Sequence, residues 1–400
     1  MKLALVSAKF PFGGKEPYLD AELRALAPHL DGITVFPTSP ESRVLGFSNV
    51  AADVVRLGLW SPATLGLALT ALATRPVRSL RAVAALLRAP YRRNVKLKNL
   101  AVVPLGLALG VRLARDRFDH VHSYWLSTPA TVAYLAAQVA GIPWSSTGHL
   151  WDIYENNALA VKLPGAAFVR AISERGKRDL LATLDGRRAE ARVDVVHVGV
   201  EIPPPPAVRR EETSRPFTIL CAANLVRKKG HSDLLEALAA VRSRGIAVDC
   251  TIAGDGPLRA PLEAQVAALG LEGAVRFRGH VAHDALLAEI AAGEYDAMVL
   301  TSLELPGGLM EGIPVALMEA MALGLPVITT ETGSIMELVD ESCGRIVPQR
   351  DVEAIGAAIA ELADSPALRA RLAEAAYEKV RHDFNVVGVA ERLAGLLRAR

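Results

Sequence analysis

The sequence predicts an α/β protein of two domains, each a doubly wound parallel sheet. Three observations carry this. A chain of 400 residues is long for a single core. Short β-branched runs alternate with longer amphipathic stretches on both sides of residue 203. Between them, "PPPPAVRREETSRP" (203–216) has no apolar period and four prolines at its start, the composition of a linker. A repeated strand–helix–strand order implies parallel strands with right-handed crossovers.

In order, the first-domain strands are expected at "KLALVSA" (2–8), "GITVFPT" (32–38), "HVHSYW" (120–125), "AAFVRAIS" (166–173) and "VDVVHVGV" (193–200). After the linker, strands are expected at 217–223, 248–254, 274–279, 296–302, 325–331 and 344–348, with helices between them. "HSDLLEALAAVRSRG" shows the helical period most clearly, with Leu234, Leu235, Leu238 and Val241 on one face and Gly245 as its stop. The expected division is 1–202, a linker at 203–216, a second domain at 217–380, and a segment 381–400 crossing back to the first domain. Two Rossmann-like sheets facing a cleft would bind ligands beyond the carboxyl ends of their strands, where loops meet helix N-termini.

Composition narrows the class. A hydrophobic fraction of 51% with 22% charge excludes wholesale disorder. The three cysteines are far apart and form no CxxC pair, which points to neither zinc nor a disulfide scaffold and suits a reducing cytoplasm. The N-terminus is expected to be a strand entering a loop, not a signal peptide. Apolar stretches near 57–74 and 99–111 are broken by Pro and Gly and fall short of the roughly 18 to 20 residues that span a bilayer. Residues 54–115 contain eleven Arg and Lys and no Asp or Glu. This basic amphipathic helical insert, about 42–118, is expected to meet an anionic membrane surface or acceptor; arginines on a solvated face are the plainer alternative.

The chemistry concentrates at "LMEGIPVALMEAMALGLPVITTETG" (309–333). Pro314 suits a first helical turn, so a helix is expected to begin at Ile313 or Pro314. Free N–H groups of Val315, Ala316 and Leu317 would then favour an anion such as a diphosphate. Glu311 before the helix and Glu319 within it could be solvated acids at a helix start. Beside an anion site they instead suit hydroxyl groups, which sugars and riboses supply. Three more loops lie at strand ends: "ANLVRKKG" (223–230), "AGDGPL" (253–258) and "RFRGHV" (276–281). Lys229 offers a phosphate an ammonium, while Gly254 and Gly256 are expected as turn residues.

With these motifs the chain resembles the retaining glycosyltransferases of family 4, which have the GT-B fold. "EGIPVALME" fits the family's pair of glutamates seven residues apart ahead of "AMALGLPVI", and "NLVRKKG", "AGDGP" and "FRGHV" stand in the family's order. In the first domain "FPFGGKEPYLDAEL" (10–23), "STGHLWDIYENN" (146–157), "AISERGKRDL" (171–180) and "VVHVGVEIP" (195–203) add to the likeness. It covers nearly the whole chain and is nearest to the branch that builds exopolysaccharides and lipopolysaccharides.

The resemblance implies a hexosyl transfer from a nucleoside-diphosphate sugar, UDP- or GDP-linked, to a glycan, lipid-linked or small-molecule hydroxyl. It implies Glu311 on the donor sugar, Glu319 on the ribose, Lys229 on the diphosphate and the Val281 main chain on the base. Gly13 and Gly14 would let a loop close on the phosphates, and His149 would contact the transferred sugar. Glu311, His149 and Lys229 are thus the expected catalytic residues. Where the family commonly has Gly-Arg this chain has Ala223-Asn224, so Asn224 can offer the diphosphate only a neutral hydrogen bond; Arg227 or Lys228 could compensate. No Asp-x-Asp stands at a strand end, so no metal is expected, and no nucleic acid is expected as a partner. The competing readings are a nucleotide-sugar epimerase on the same fold, or a non-catalytic nucleotide-sugar or glycan-binding protein. The first loop lacks the GxGxxG of a dinucleotide-dependent dehydrogenase.

Overall fold

A computed structural model describes residues 1–12, 16–39, 46, 50–89, 91–184, 192–205 and 215–399. Gly13, Gly14 and most of the 203–216 linker therefore lie outside the described residues. Contacts divide the chain into two units, Met1–Gly199 with Val386–Arg400, and Val200–Asn385.

The first unit runs β1 (Lys2–Ser7), α1 (Pro17–Leu26), β2 (Gly32–Pro37), β3 (Asp53–Val54), α2 (Pro62–Thr74), α3 (Pro76–Arg88), α4 (Arg93–Ala101), α5 (Val103–Arg115), β4 (His120–Ser123), α6 (Thr128–Ala140), β5 (Trp144–Gly148), α7 (Leu150–Glu155), α8 (Leu159–Lys162), β6 (Phe168–Ala171), α9 (Glu174–Thr183) and β7 (Val193–Val195). Its seven strands are parallel in the order β3-β2-β1-β4-β5-β6-β7. The order reverses between β1 and β4, the switch point of a Rossmann-like sheet.

Two of these strands, β3 and β5, are not apparent in the sequence. "WSSTG" is too polar to suggest a buried strand, yet all five residues are buried. Partners on β4 explain this: Ser145 Oγ lies 2.7 Å from both His120 Nε2 and His122 Nδ1, and Thr147 Oγ1 lies 2.8 Å from His122 Nε2. A polar side chain tolerates burial when it is hydrogen-bonded.

Among the described residues the basic insert forms four helices, α2 to α5. Prolines stand at the first turns of α2, α3 and α5, where the missing N–H costs nothing but continuation of a preceding helix is blocked. α5 is a core helix: Leu105, Leu107, Leu109 and Leu113 are buried, and Gly106 and Gly110 lie directly against Leu135 and Val139 of α6. Among the described residues no single helix is long and apolar enough to cross a membrane; α4 and α5 together would be, but they meet at 43°.

The second unit runs β8 (Phe217–Ala222), α10 (His231–Ser243), β9 (Val248–Ala253), α11 (Arg259–Ala268), β10 (Val275–Gly279), α12 (His283–Ala291), β11 (Ala297–Leu300), α13 (Val315–Ala322), β12 (Val327–Thr330), β13 (Arg345–Val347), α14 (Val352–Asp364) and α15 (Pro366–Asp383). All six strands are parallel in the order β10-β9-β8-β11-β12-β13, so its switch point lies between β8 and β11. The last helix, α16 (Val386–Arg398), belongs to the first unit. Its Ala390, Leu393, Ala394 and Leu397 share a core with Leu19, Leu23 and Leu26 of α1.

Candidate functional site

In the second unit the sequence-predicted residues gather beside the switch point, at the carboxyl ends of β8 and β11. After β8 the chain turns through Arg227–Lys229 to Gly230. This loop is strapped to the end of β11, because Leu303 N donates to Lys228 O at 2.8 Å and Thr301 Oγ1 donates to Gly230 O at 2.9 Å. Gly230 has φ +64°, and a Cβ there would lie 1.8 Å from the Thr301 carbonyl oxygen. Only glycine permits that approach. After β11, Leu305 and Leu309 bridge across a turn at Gly307 and Gly308 before the chain reaches Glu311.

Glu311 is 7% exposed. Lys229 Nζ donates to its Oε2 at 3.0 Å, and Lys228 Nζ stands 3.0 Å from Oε1. Burial alone would raise the carboxyl pKa; the Lys229 and Lys228 ammoniums outweigh it and hold the group below its ordinary value. Lys229 is thus a partnered ammonium, not a freely mobile one, and Lys228 joins it. Gly333, after β12, holds the glutamate's backbone: at φ +59° its Cβ would fall 1.8 Å from Glu311 O.

The helix begins one residue later than expected. Pro314 has extended ψ 120° and caps α13, which starts at Val315. Leu317 N donates to Pro314 O at 3.1 Å, so its N–H is not available to an anion, contrary to expectation. The amides of Val315 and Ala316 have no acceptor among the described residues and face the positive helix end. Glu319, just over one turn in, accepts from His283: Nε2 to Oε1 is 2.7 Å. That hydrogen bond raises the His283 pKa. Val281, two residues before His283, is half-buried, and its main-chain N–H and C=O have no partner among the described residues. Asn224 is exposed after β8, and so is Arg227.

The first unit places His149 at the start of α7, directly after β5. Asp152 Oδ1 accepts from His149 N at 2.8 Å and its Oδ2 from Leu126 N at 2.5 Å, pinning the turn. The His149 ring stacks on Trp125 with centroids 4.0 Å apart, and Trp125 Nε1 donates to Glu16 Oε1 at 2.9 Å. Burial, helped by the Arg170 charge, pushes the His149 pKa down to about 3, so the imidazole is neutral. It is 8% exposed, and neither Nδ1 nor Nε2 has a hydrogen-bond partner among the described residues. Arg170 is itself buried in a bidentate pair with Glu22, at 2.6 and 2.8 Å. By contrast His122 is satisfied within the sheet by Ser145 and Thr147.

Sequence reasoning missed His283, Trp125, Asp152 and the pairing of Lys228 with Glu311. His283 stands just past the "RFRGHV" loop at a strand end, which was a signal available for it. Trp125 and Asp152 become visible only through contacts. Among the described residues no group of three or more His, Cys, Asp or Glu could hold a metal ion.

Known proteins give the family. The family model described as glycosyl transferases group 1 matches residues 207–379. The chain is 34% identical over 207 residues to the amylovoran biosynthesis glycosyltransferase AmsK of Erwinia amylovora, covering 52% of this chain and 50% of that protein. It thus spans about half the length of that relative. It is 31% identical over 310 residues to the glycogen synthase of Mycobacterium tuberculosis, covering 74% of this chain and 72% of the other. In fold it is similar to HepE of Anabaena, solved with UDP, at TM-score 0.74 and 18% identity over 100% of both chains. The sucrose-phosphate synthase of Thermosynechococcus elongatus is similarly alike, at TM-score 0.72 and 19% identity over 100% of this chain and 98% of that one. With the paired sheets, the strand-end glutamates and these likenesses together, the chain belongs to the group 1 glycosyl transferases.

Proposed function

We propose that this protein transfers a hexose, with retention of configuration, from a nucleoside-diphosphate sugar to a hydroxyl of a glycan, lipid-linked or small-molecule acceptor. The observation that carries the reading is the cluster at the ends of β8 and β11. There, two ammoniums and two unpaired helix amides stand beside two carboxylates. Phosphates suit Lys229, Lys228 and the amides of Val315 and Ala316. Glu311 takes donor-sugar hydroxyls, Glu319 the ribose, and the unpaired main chain of Val281 the base. Asn224 adds a neutral donor, and Gly13 and Gly14 are assigned to the phosphate-side loop. His149 hydrogen-bonds a substrate hydroxyl through its orphaned ring nitrogens.

In the step proposed, the anomeric carbon–oxygen bond to the diphosphate breaks and the glycosidic carbon–oxygen bond forms on the same face. The acceptor's proton passes to the leaving diphosphate. The lysines and amides stabilise charge developing on that leaving group, which is electrostatic catalysis with positioned donors. No residue is needed as a nucleophile. Neither metal nor other cofactor is assigned, and turnover is expected to persist in EDTA. The three cysteines are free and buried, which supports the cytoplasm as the compartment, with the basic insert at the inner face of the membrane.

The test is a thermal-shift titration with UDP, GDP, ADP and dTDP, beside Lys229→Ala and Glu319→Ala. UDP and GDP come first, because HepE is solved with UDP and a Mycobacterium tuberculosis relative, 29% identical over 330 residues, is a GDP-mannose-dependent mannosyltransferase. One nucleotide at a hundred times its Kd should stabilise the protein by about 2.7 kcal/mol, or roughly 5 to 10 °C. Both variants should lose most of that shift. No shift with any nucleotide would overturn the donor assignment.

A further inference from the structure

We propose that His283 is a latch on the ribose end of the donor site: its Nε2 holds the Glu319 carboxylate, and the ribose hydroxyls of a nucleoside-diphosphate sugar take its place. This rests on the donor reading above and deepens it by naming what regulates that same site. His283 is the first residue of α12, and Glu319 stands on α13. Nε2 lies 2.7 Å from Glu319 Oε1, a contact made across 36 residues. A ribose presents two neighbouring hydroxyls, both able to donate to a carboxylate. His283 already occupies one of the two oxygens they would use.

The pair is built to open. The Glu319 side chain is 18% exposed, whereas that of His283 is 42% exposed. Displacing the histidine therefore strands nothing, because its polar edge returns to water while the ribose satisfies the carboxylate. A second acceptor stands on its own helix, with Nδ1 3.4 Å from Asp284 Oδ1. Val281, whose main chain is assigned to the base, is two residues earlier, so base and ribose meet the same short segment.

Charge makes the latch pH-dependent. A cation in the first turn of a helix is disfavoured by the helix dipole. The hydrogen bond to Glu319 from α13 outweighs partial burial, and with the charges of Glu319 and of Asp284 on α12 it raises the His283 pKa above the ordinary 6.5. Further along α12, Glu289 faces Arg278 of β10 and Tyr295 ahead of β11, so those groups are satisfied there. His280 is exposed in the loop before α12. Once the ribose holds Glu319, His283 loses that partner and its pKa falls back towards the ordinary value, so binding releases a proton. Above pH 6.5 and up to the raised value, the free protein holds more protons than the complex. Affinity for the donor therefore rises with pH across that window and is level on either side of it.

The test is calorimetry of UDP against 2′-deoxy-UDP, and of GDP against 2′-deoxy-GDP, with the whole protein at about pH 6 and about pH 8.5. The two members of each couple share their phosphate ionisation, so the ratio of their affinities cancels it and reads the sugar hydroxyl alone. That ratio should rise about threefold with pH, the worth of one half-exposed ion pair. His283→Gln keeps a donor for Glu319 but carries no charge, and should make the ratio level. His280→Gln should leave the rise intact. His283→Ala should bring the ratio at the lower pH to at least the wild-type value at the higher one. A level ratio in the wild type, a rise that survives in His283→Gln, or weaker ribonucleotide binding by His283→Ala would overturn the latch alone. No binding of any nucleotide at either pH would overturn the donor assignment, and the latch with it.

Discussion

Glu311→Gln should lower stability, tighten nucleotide binding and slow transfer, three effects that do not ordinarily travel together. In the native protein the carboxylate neutralises Lys229 and Lys228, each 3.0 Å away. At an effective dielectric near 20, one such contact has a gross attraction of about 5 kcal/mol. Desolvation of Glu311 cancels most of it, and the Lys228 contact is screened because that side chain is 36% exposed. A net loss of about 1 to 2 kcal/mol remains, or roughly 3 to 6 °C in Tm. The amide keeps the shape but releases both ammoniums, which then meet a diphosphate without a competing anion. The nucleoside diphosphate should bind about 3- to 10-fold tighter by calorimetry. Transfer should fall about 10- to 100-fold in kcat/KM, since a sugar hydroxyl loses a charged acceptor. The acid dependence follows from the sign of the shift. The lysines depress the Glu311 pKa below its ordinary 4.5. Its stabilising contribution is therefore fully present above about pH 4.5 and is lost as pH falls through the depressed value. The wild-type advantage in Tm should vanish there. Weaker nucleotide binding with unchanged Tm would refute the idea that Glu311 and the diphosphate compete for the same cations.

Two further outcomes are expected. His149→Ala should reduce turnover at least tenfold while costing only about 0.5 to 1.5 kcal/mol, the stacking on Trp125, because the ring nitrogens have no hydrogen-bond partner among the described residues; kinetics like the wild type's would contradict the assignment. Since His149 is neutral down to about pH 3, the variant's pH–rate profile should keep its shape. The unfolded histidine takes up a proton below about pH 6.5 while the native one resists, so the variant's stability deficit should shrink in acid. Gly230→Ala should destabilise by about 2 to 4 kcal/mol, because its Cβ would meet the Thr301 carbonyl at 1.8 Å with φ at +64°; a thermal unfolding curve that does not move would show that the loop relaxes freely.

The sequence by itself determined the two parallel sheets, all six strands of the second one, and the loops that matter, since β-branched runs, helical spacing and glycines at strand ends are local signals. It pointed to Glu311, Glu319 and Lys229 through their place at strand ends together with the family resemblance, since either glutamate alone could be a solvated acid at a helix start. It did not show β5, whose serines are buried only because His120 and His122 on the neighbouring strand satisfy them. Nor did it show that Lys229, 82 residues away, and Lys228 share Glu311, that His283 holds Glu319, or that the Leu317 amide is already used. Only the tertiary structure decided these. Partner choice among side chains depends on distance in space, and residues far apart in the chain acquire a distance only when the sheet has assembled.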